Sequence, residues 1–214
     1  MTTRTPSISR RNTLLALAAL GSAATLQGCF PVVATGVGVG AAMVADRRTS
    51  GAYVEDEGIE WRTGNRIRER FGDAVHVNVT SYNRNVLLTG EAPNEQVRVE
   101  IERIATGVAN VRAVINEVRV AGISPLSARA NDAVTTSKVK ARFVDAQTFG
   151  AHHVKVVTEA NTVFLMGLVT RREADLATEV TRTTAGVSKV VRVFEYISDD
   201  EARRLDARIG TSGK

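Results

Sequence analysis

Cysteine is nearly missing from this sequence. Among 214 residues, Cys29 is the single cysteine, and only three residues are histidines. One thiol cannot close an intramolecular disulfide, and with three scattered imidazoles it does not make a four-ligand zinc site. The sequence also shows no nucleophile and base at a recognisable spacing. We therefore expect no enzyme, no metal site and no cofactor.

Aromatic residues and an excess of one charge are also lacking. The aromatic content is 5%, and the 28 basic and 23 acidic residues give a formal net charge of +5. Three of the basic residues precede Cys29, which leaves 25 basic against 23 acidic side chains in the rest of the chain. A nearly balanced chain with few stacking side chains is not expected to bind nucleic acid.

The N-terminal segment contains no acidic residue and one short apolar run. Arg4, Arg10 and Arg11 precede the mostly apolar residues 14–26. As a helix this run would span about 20 Å at 1.5 Å per residue, less than the roughly 30 Å of a hydrocarbon core. We therefore predict an export signal over residues 1–28. The general secretory route is favoured, and the arginine pair leaves the twin-arginine route open.

The end of this signal contains the lone cysteine. Leu26-Gln27-Gly28-Cys29 resembles the lipobox of bacterial lipoproteins. The resemblance implies that Cys29 is acylated and becomes the mature N-terminus, and Phe30, in place of Asp, implies delivery to the outer membrane. Several acyl chains anchor stably because each buried methylene contributes about 0.8 kcal/mol. The alternative is a free or buried cysteine after a cleaved signal peptide.

Residues 29–54 are rich in small side chains and are predicted to form a lipidated flexible tether. The stretch 36–40, GVGVG, contains glycines at a spacing that occurs in dinucleotide-binding loops. Such a loop needs a preceding strand and a following helix, and the surrounding sequence predicts neither. We therefore assign it no nucleotide-binding role.

The remaining sequence contains an internal repeat. NVLLTGE at 85–91 is similar to TVFLMGL at 162–168, and RIRERF at 66–71 is similar to KVKARF at 138–143. A Gly-Val pair follows in each copy, Gly107-Val108 in the first and Gly186-Val187 in the second. Aligning the two pairs requires a two-residue insertion in the second copy. The repeat predicts two units with the same order of elements.

Each unit is predicted to run helix, strand, strand, helix, strand. Apolar residues recur at helical spacing in the first segment and alternate in the next two. The predicted fold class is α+β, with each αββαβ unit forming a small three-stranded sheet packed on two helices. The predicted domains are 55–122 and 123–198, followed by a charged tail at 199–214, either helical or disordered.

The repeat resembles the BON domain. The residues that carry the resemblance are VLLTGEAPN at 86–94, NDAVTTSKVKARF at 131–143 and VFLMGLVTRREA at 163–174, and they are similar to outer-membrane lipoproteins with two BON domains. The resemblance implies a periplasmic protein, lipid-anchored in the outer membrane. Its second domain would bind anionic phospholipids such as phosphatidylglycerol and cardiolipin, and the protein would support outer-membrane integrity at division sites or near the outer-membrane protein assembly machinery.

The first helix of the second unit is the candidate lipid-binding element. At 100° per residue Val139 and Phe143 face the core with Thr136 beside them, and Val134 lies about 140° from Val139 and points outward. The resemblance implies an aromatic residue at the position of Val134. The predicted lipid-binding residues are Ala130, Val134, Lys138, Ala141 and Arg142. The alternatives are an ordinary solvated face, or a scaffold that binds an envelope protein without recognising headgroups.

Overall fold

The computed structural model describes residues 46–212, with side chains to residue 209. The predicted signal peptide, Cys29 and most of the predicted tether lie outside these residues. The first repeat comprises α1 (Ser50–Phe71), β1 (His76–Tyr82), β2 (Asn85–Ala92), α2 (Glu95–Thr106), β3 (Ala113–Asn116) and β4 (Arg119–Val120). The second comprises α3 (Leu126–Ala146), β5 (Lys155–Glu159), β6 (Thr162–Val169), α4 (Arg171–Arg182) and β7 (Lys189–Tyr196), and α5 (Asp199–Ser212) follows.

Each repeat forms the predicted small sheet. β1 and β5 pair antiparallel with β2 and β6, and β2 and β6 pair in parallel with the strands that follow α2 and α4. A tight turn follows Tyr82, where Asn83 and Arg84 both have positive φ, 50° and 65°. Two consecutive residues in this conformation suit the twist of a tight hairpin. The α+β fold class is confirmed.

The last strand of the first repeat departs from the prediction. The sequence predicts one continuous strand, but β3 and β4 are separate, whereas β7 is continuous. The side chain of Asn116 explains the break, because its amide donates to the Arg98 carbonyl at 3.1 Å and its oxygen accepts from the Val118 N–H at 3.2 Å. These bonds turn the chain toward α2 and bury Val118.

Each sheet carries its two helices on one face. In the first repeat Ile59 and Ile67 of α1 meet Val86 and Leu88 of β2. In the second repeat Val139 and Phe143 of α3 pack against β5 and β6. α4 begins with a capping box, in which the Thr170 hydroxyl and the Glu173 carboxylate each accept from the other's backbone N–H.

The inner faces of the two sheets pack against each other. Leu87 and Tyr82 of the first repeat lie in one buried cluster with Phe164, Met166 and Leu168 of β6. We call this contact the seam. Because helices cover the outer faces and the inner faces meet, the two repeats form one four-layered body, an arrangement that the sequence analysis did not predict.

The structure corrects the alignment of the two repeats. The buried residues of α1 are Asp56, Ile59, Thr63 and Ile67, and those of α3 are Asp132, Thr135, Val139 and Phe143. Phe143 therefore corresponds to Ile67 rather than to Phe71, one helical turn from the predicted match. A four-residue shift leaves a helical stripe almost unchanged, so the apolar pattern alone could not detect it.

The two Gly-Val pairs are not equivalent either. Gly107 caps α2 with a φ of −78°, which any residue adopts. The residue that caps α4 in the same way is Thr183. Gly186, with a φ of 99°, corresponds instead to Asn110, with a φ of 68°. The predicted alignment of Gly107 with Gly186, and the insertion between the copies, are wrong.

The ends of the described chain are folded against the second repeat. The predicted tether ended at residue 54, but α1 begins at Ser50 and Arg47 is only 4% exposed. The Arg47 guanidinium donates to the Leu168 carbonyl and to the carboxylates of Glu173 and Asp206. Asp206 belongs to α5, so the charged tail, for which helix and disorder were both open, is a helix held by this contact.

Candidate functional site

Helix α3 positions the candidate lipid face. Its buried residues recur at steps of three or four, so one side faces the core and the opposite side is left to solvent. Val139 and Phe143 are buried as predicted. The residue buried beside them is Thr135 rather than Thr136, which is half-buried and donates to the Thr158 hydroxyl at 2.7 Å.

The outer side of α3 carries an apolar strip. Val134 is 52% exposed, and Leu126 and Val144 at the two ends of the helix are 76% and 63% exposed. Ala130 and Ala141 are exposed between them. At 100° per residue these five side chains occupy a band about 80° wide. The sequence predicts Ala130, Val134 and Ala141 in the middle of this strip, but it does not predict Leu126 and Val144 at the ends.

Two lysines border the strip. Lys138 and Lys140 are exposed, and neither forms an ion pair within residues 46–209. On the helical projection each lies about 40° beyond one edge of the strip, on opposite sides. Asp145 is exposed near the C-terminal end of α3 and carries a negative charge. The positive charge beside the strip therefore comes from the two lysines. We call the strip and its lysines the α3 face.

The structure places Arg142 apart from the α3 face. Its guanidinium is half-buried and donates to the Val180 carbonyl at 2.9 Å and the Thr184 hydroxyl at 2.8 Å. Val180 is in the last turn of α4, where carbonyls lack helical partners and a cation is favourable. Arg142 thus joins α3 to α4, and Lys140 presents the charge that the sequence analysis assigned to Arg142.

Helix α1 exposes a second apolar pair. Trp61 is 69% exposed and Val54 is 60% exposed. They are seven residues apart, which puts them on one side of the helix. The indole of Trp61 therefore lies at the surface of the first repeat.

The geometry of a buried ionic cluster at the second repeat indicates a structural role. Arg47 donates two hydrogen bonds to Glu173, at 2.8 and 2.9 Å, and His153 lies beside both acidic partners. Burial would raise the pKa of Glu173, but the nearby His153 imidazole and hydrogen bonds from Arg47 and the Thr170 N–H outweigh it and lower that pKa strongly. His153 is buried in this cluster.

No helix within residues 46–212 is both long and apolar enough to span a bilayer.

Comparison with known protein families matches residues 62–122 and 131–198 to the BON domain. The outer membrane lipoprotein DolP of Haemophilus influenzae is 36% identical over 181 residues, which cover 83% of this chain and 93% of DolP. A 21 kDa hemolysin of Actinobacillus pleuropneumoniae is 32% identical over 157 residues, 71% of this chain and 79% of that protein.

Among solved structures, CdsD, a structural protein of the type III secretion system of Chlamydia trachomatis, matches 73% of this chain and 98% of its own. The match has 12% sequence identity and a TM-score of 0.27. Neither relative named above is described as an enzyme. The two matched segments together cover more than half of the sequence. The chain therefore belongs to the BON-domain family, as an outer-membrane lipoprotein that carries two BON domains.

Proposed function

We propose that this protein binds anionic phospholipids through the α3 face and thereby supports the integrity of the outer membrane, including at division sites. The observation that carries the proposal is the exposed apolar strip of Leu126, Val134 and Val144 between Lys138 and Lys140. Apolar side chains enter the interface of a bilayer while lysines at its border meet anionic headgroups. Phosphatidylglycerol and cardiolipin supply such headgroups.

The proposed anchor is the acylated thiol of Cys29, within the sequence LQGC. Acyl chains hold the protein at the membrane regardless of headgroup, whereas the α3 face supplies the preference for anionic lipid. The two contributions can be separated, because the Cys29→Ser chain keeps the α3 face and loses the anchor. In this role the protein would act by binding alone, without catalysis and without a cofactor.

The first test measures cosedimentation of the Cys29→Ser chain with vesicles that contain phosphatidylglycerol or only neutral lipid. Each lysine near an anionic surface contributes about 1 kcal/mol. The change Lys138→Gln with Lys140→Gln should therefore weaken binding to anionic vesicles by about 2 kcal/mol, roughly thirtyfold.

The matched control is Lys189→Gln. Lys189 is exposed at the start of β7 and also forms no ion pair within residues 46–209. Its neutralisation should leave binding nearly unchanged. Because Lys189→Gln removes one charge and the double variant removes two, a loss in the control of about half that of the double variant would mean that net charge, and not the α3 face, causes the attraction.

A second candidate function is a scaffold that binds an envelope protein, such as a component of outer-membrane protein assembly. The exposed pair Trp61 and Val54 on α1 favours it, because tryptophan is enriched at the centres of protein interfaces. In this case the Cys29→Ser chain would bind anionic and neutral vesicles equally poorly. Trp61→Ala would then reduce recovery of a bound envelope protein without changing membrane association.

A further inference from the structure

One end of the seam is polar and brings together three metal-ligating side chains. His76 begins β1, Glu91 lies opposite it on β2, and Glu159 ends β5 in the other repeat. His76 Nδ1 is 3.1 Å from Glu91 Oε2. One ligand atom from each of the three residues lies within 4.8 Å of the other two. Both glutamates are buried and His76 is half-buried.

Glu91 and Glu159 have different partners at this end of the seam. Glu91 accepts from the Arg119 guanidinium at 2.6 Å. Glu91 Oε2 also accepts from the Ser124 N–H at 3.3 Å and lies 3.1 Å from His76 Nδ1. Glu159 accepts only from the neutral amide of Asn78, at 2.8 Å, among the described side chains. Arg129 lines the same cavity as Glu159 but forms no ion pair with it among the described residues.

A buried hydroxyl beside the cluster also lacks a partner. Thr89 is 1% exposed, and its Oγ1 forms no hydrogen bond within the part of the chain that the structure describes. Thr89 lies opposite Asn78 in the sheet, two residues before Glu91, so its side chain projects from the same face as both. Buried polar atoms are normally satisfied. A metal-bound water beside Glu91 would satisfy this one.

The cluster is reachable from solvent. A cavity of about 250 Å³ is lined by His76 and Glu159 of the cluster and by Asn78, Arg129, Asp132 and Thr158. A cation of zinc size could therefore enter without opening the seam.

We propose that His76, Glu91 and Glu159 bind a divalent transition-metal ion, Zn²⁺ first, that joins the two BON domains at the seam. Imidazole and carboxylate ligands together suit Zn²⁺, whereas Ca²⁺ and Mg²⁺ prefer oxygen alone. In a tetrahedral site with bonds of 2.0 to 2.2 Å, neighbouring ligand atoms are about 3.3 Å apart. The His76–Glu91 pair already has this separation, and Glu159 needs only a small movement. Arg119 remains on the other oxygen of Glu91.

This site does not depend on lipid binding, and its test uses metal alone. The full-length protein, without a histidine tag and stripped with a chelator, is titrated with Zn²⁺ by calorimetry and by thermal unfolding. The expected result is one bound ion per chain and a higher unfolding temperature. His76→Gln and Glu159→Gln should each lower the affinity at least about tenfold.

The matched controls are Glu195→Gln and His152→Gln. Glu195 also accepts a hydrogen bond across the seam, from Asn83 at 2.9 Å, but belongs to no ligand cluster within the described residues. Both controls should bind Zn²⁺ as the unchanged protein does. Loss of binding in His152→Gln, or unchanged affinity in Glu159→Gln, would overturn the proposal.

A measurement on the unchanged protein covers the case in which a variant fails to fold. X-ray absorption at the zinc edge should show one imidazole nitrogen and otherwise oxygen ligands. Two imidazoles or a sulfur in the coordination shell would place the ion elsewhere, and no binding at all would reject the site.

Discussion

Asp56 and Asp132 hold the two hairpin turns from the neighbouring helices. Asp56 accepts from the N–H groups of Asn83 and Arg84, both at 2.7 Å. Asp132 accepts from the N–H groups of Ala160 and Asn161, at 2.8 and 2.9 Å. Turn N–H groups have no partner in the strand ladder, so each buried carboxylate satisfies two donors at once. The same device in both repeats fixes each long helix against its hairpin.

The change Asp132→Ala tests this role. It removes two charge-assisted hydrogen bonds, one to the half-buried Ala160 and one to the exposed Asn161, so we expect a loss of about 2 kcal/mol in the free energy of unfolding. Urea denaturation followed by circular dichroism measures it. Asp145→Ala on the same helix, where the carboxylate is exposed, should change stability by less than about 0.5 kcal/mol. Similar losses in the two variants would contradict the role of Asp132.

These aspartates also show where sequence analysis reached its limit. The apolar stripe of α1 and α3 predicts both helices and their buried sides, because burial leaves a period in the sequence. Asp132 and Asp56 look like solvent-facing charges within that period. Only the hairpin turns, brought close by folding, explain why they are buried, and they fix the true correspondence of the repeats.

Helix α3 combines a buried side that the sequence predicts with an outer side that it predicts in part. Val134 and Lys138 stand out because they fall opposite the core stripe. The sequence does not show that Leu126 begins the helix or that Lys140 is left without an ion pair within residues 46–209. It also does not show that Arg142 donates to the carbonyl of Val180, which belongs to a different helix. The periodicity of the sequence therefore does not predict which side chains of the site pair with another element.

The change Val134→Trp tests whether the α3 face enters a bilayer. Tryptophan offers roughly 80 Å² more apolar surface than valine, worth about 2 kcal/mol at 25 cal/mol per Å², and it favours membrane interfaces. We expect the Cys29→Ser form of this variant to bind anionic vesicles about tenfold or more tightly, measured by cosedimentation. Indole fluorescence should shift to the blue on binding.

The matched control for that gain is Val99→Trp. Val99 lies on α2 of the first repeat and is 53% exposed, almost as much as Val134. The same substitution there should leave vesicle binding unchanged. An equal gain at both positions would mean that any exposed tryptophan promotes adsorption, and the α3 face would lose its special role.

The two BON domains are joined by the seam and by contacts at its margins. The cluster of Leu87, Phe164 and Met166 excludes water from the centre, and Lys155 reaches Glu60 of α1 at 2.9 Å. Apolar burial of this kind supplies roughly 25 cal/mol per Å². The sequence shows inner-facing apolar residues in each repeat without showing that the two inner faces are each other's partners. Each of the two similar sheets has an apolar face that its own helices do not cover, and each sheet buries this face against the other.

Arg47 joins the start of the described chain to its C-terminal helix. Hydrogen bonds with Arg47 lower the pKa of Asp206, despite burial, as they do that of Glu173. A carboxyl group whose pKa is lowered by folding stabilises the folded state above its unfolded pKa, and this contribution is lost as the pH falls. The unfolded values are about 4.3 for Glu and 3.9 for Asp. The contribution should therefore be complete above about pH 5 and decline below about pH 4.

The change Arg47→Met tests this coupling. At pH 7 it leaves the partly buried carboxylate of Glu173 without its main cation, so we expect a loss of about 3 kcal/mol in the free energy of unfolding. At pH 3, where the unfolded chain has protonated its carboxylates, the difference from the unchanged protein should shrink because that protein has itself lost part of the stabilisation. Urea denaturation at both pH values measures the two differences. Arg203→Met on α5, whose partner Asp200 is exposed, should cost less than about 0.5 kcal/mol at either pH. A loss for Arg47→Met that is the same at pH 3 and pH 7 would show that Arg47 acts through packing of its stem rather than through its charge.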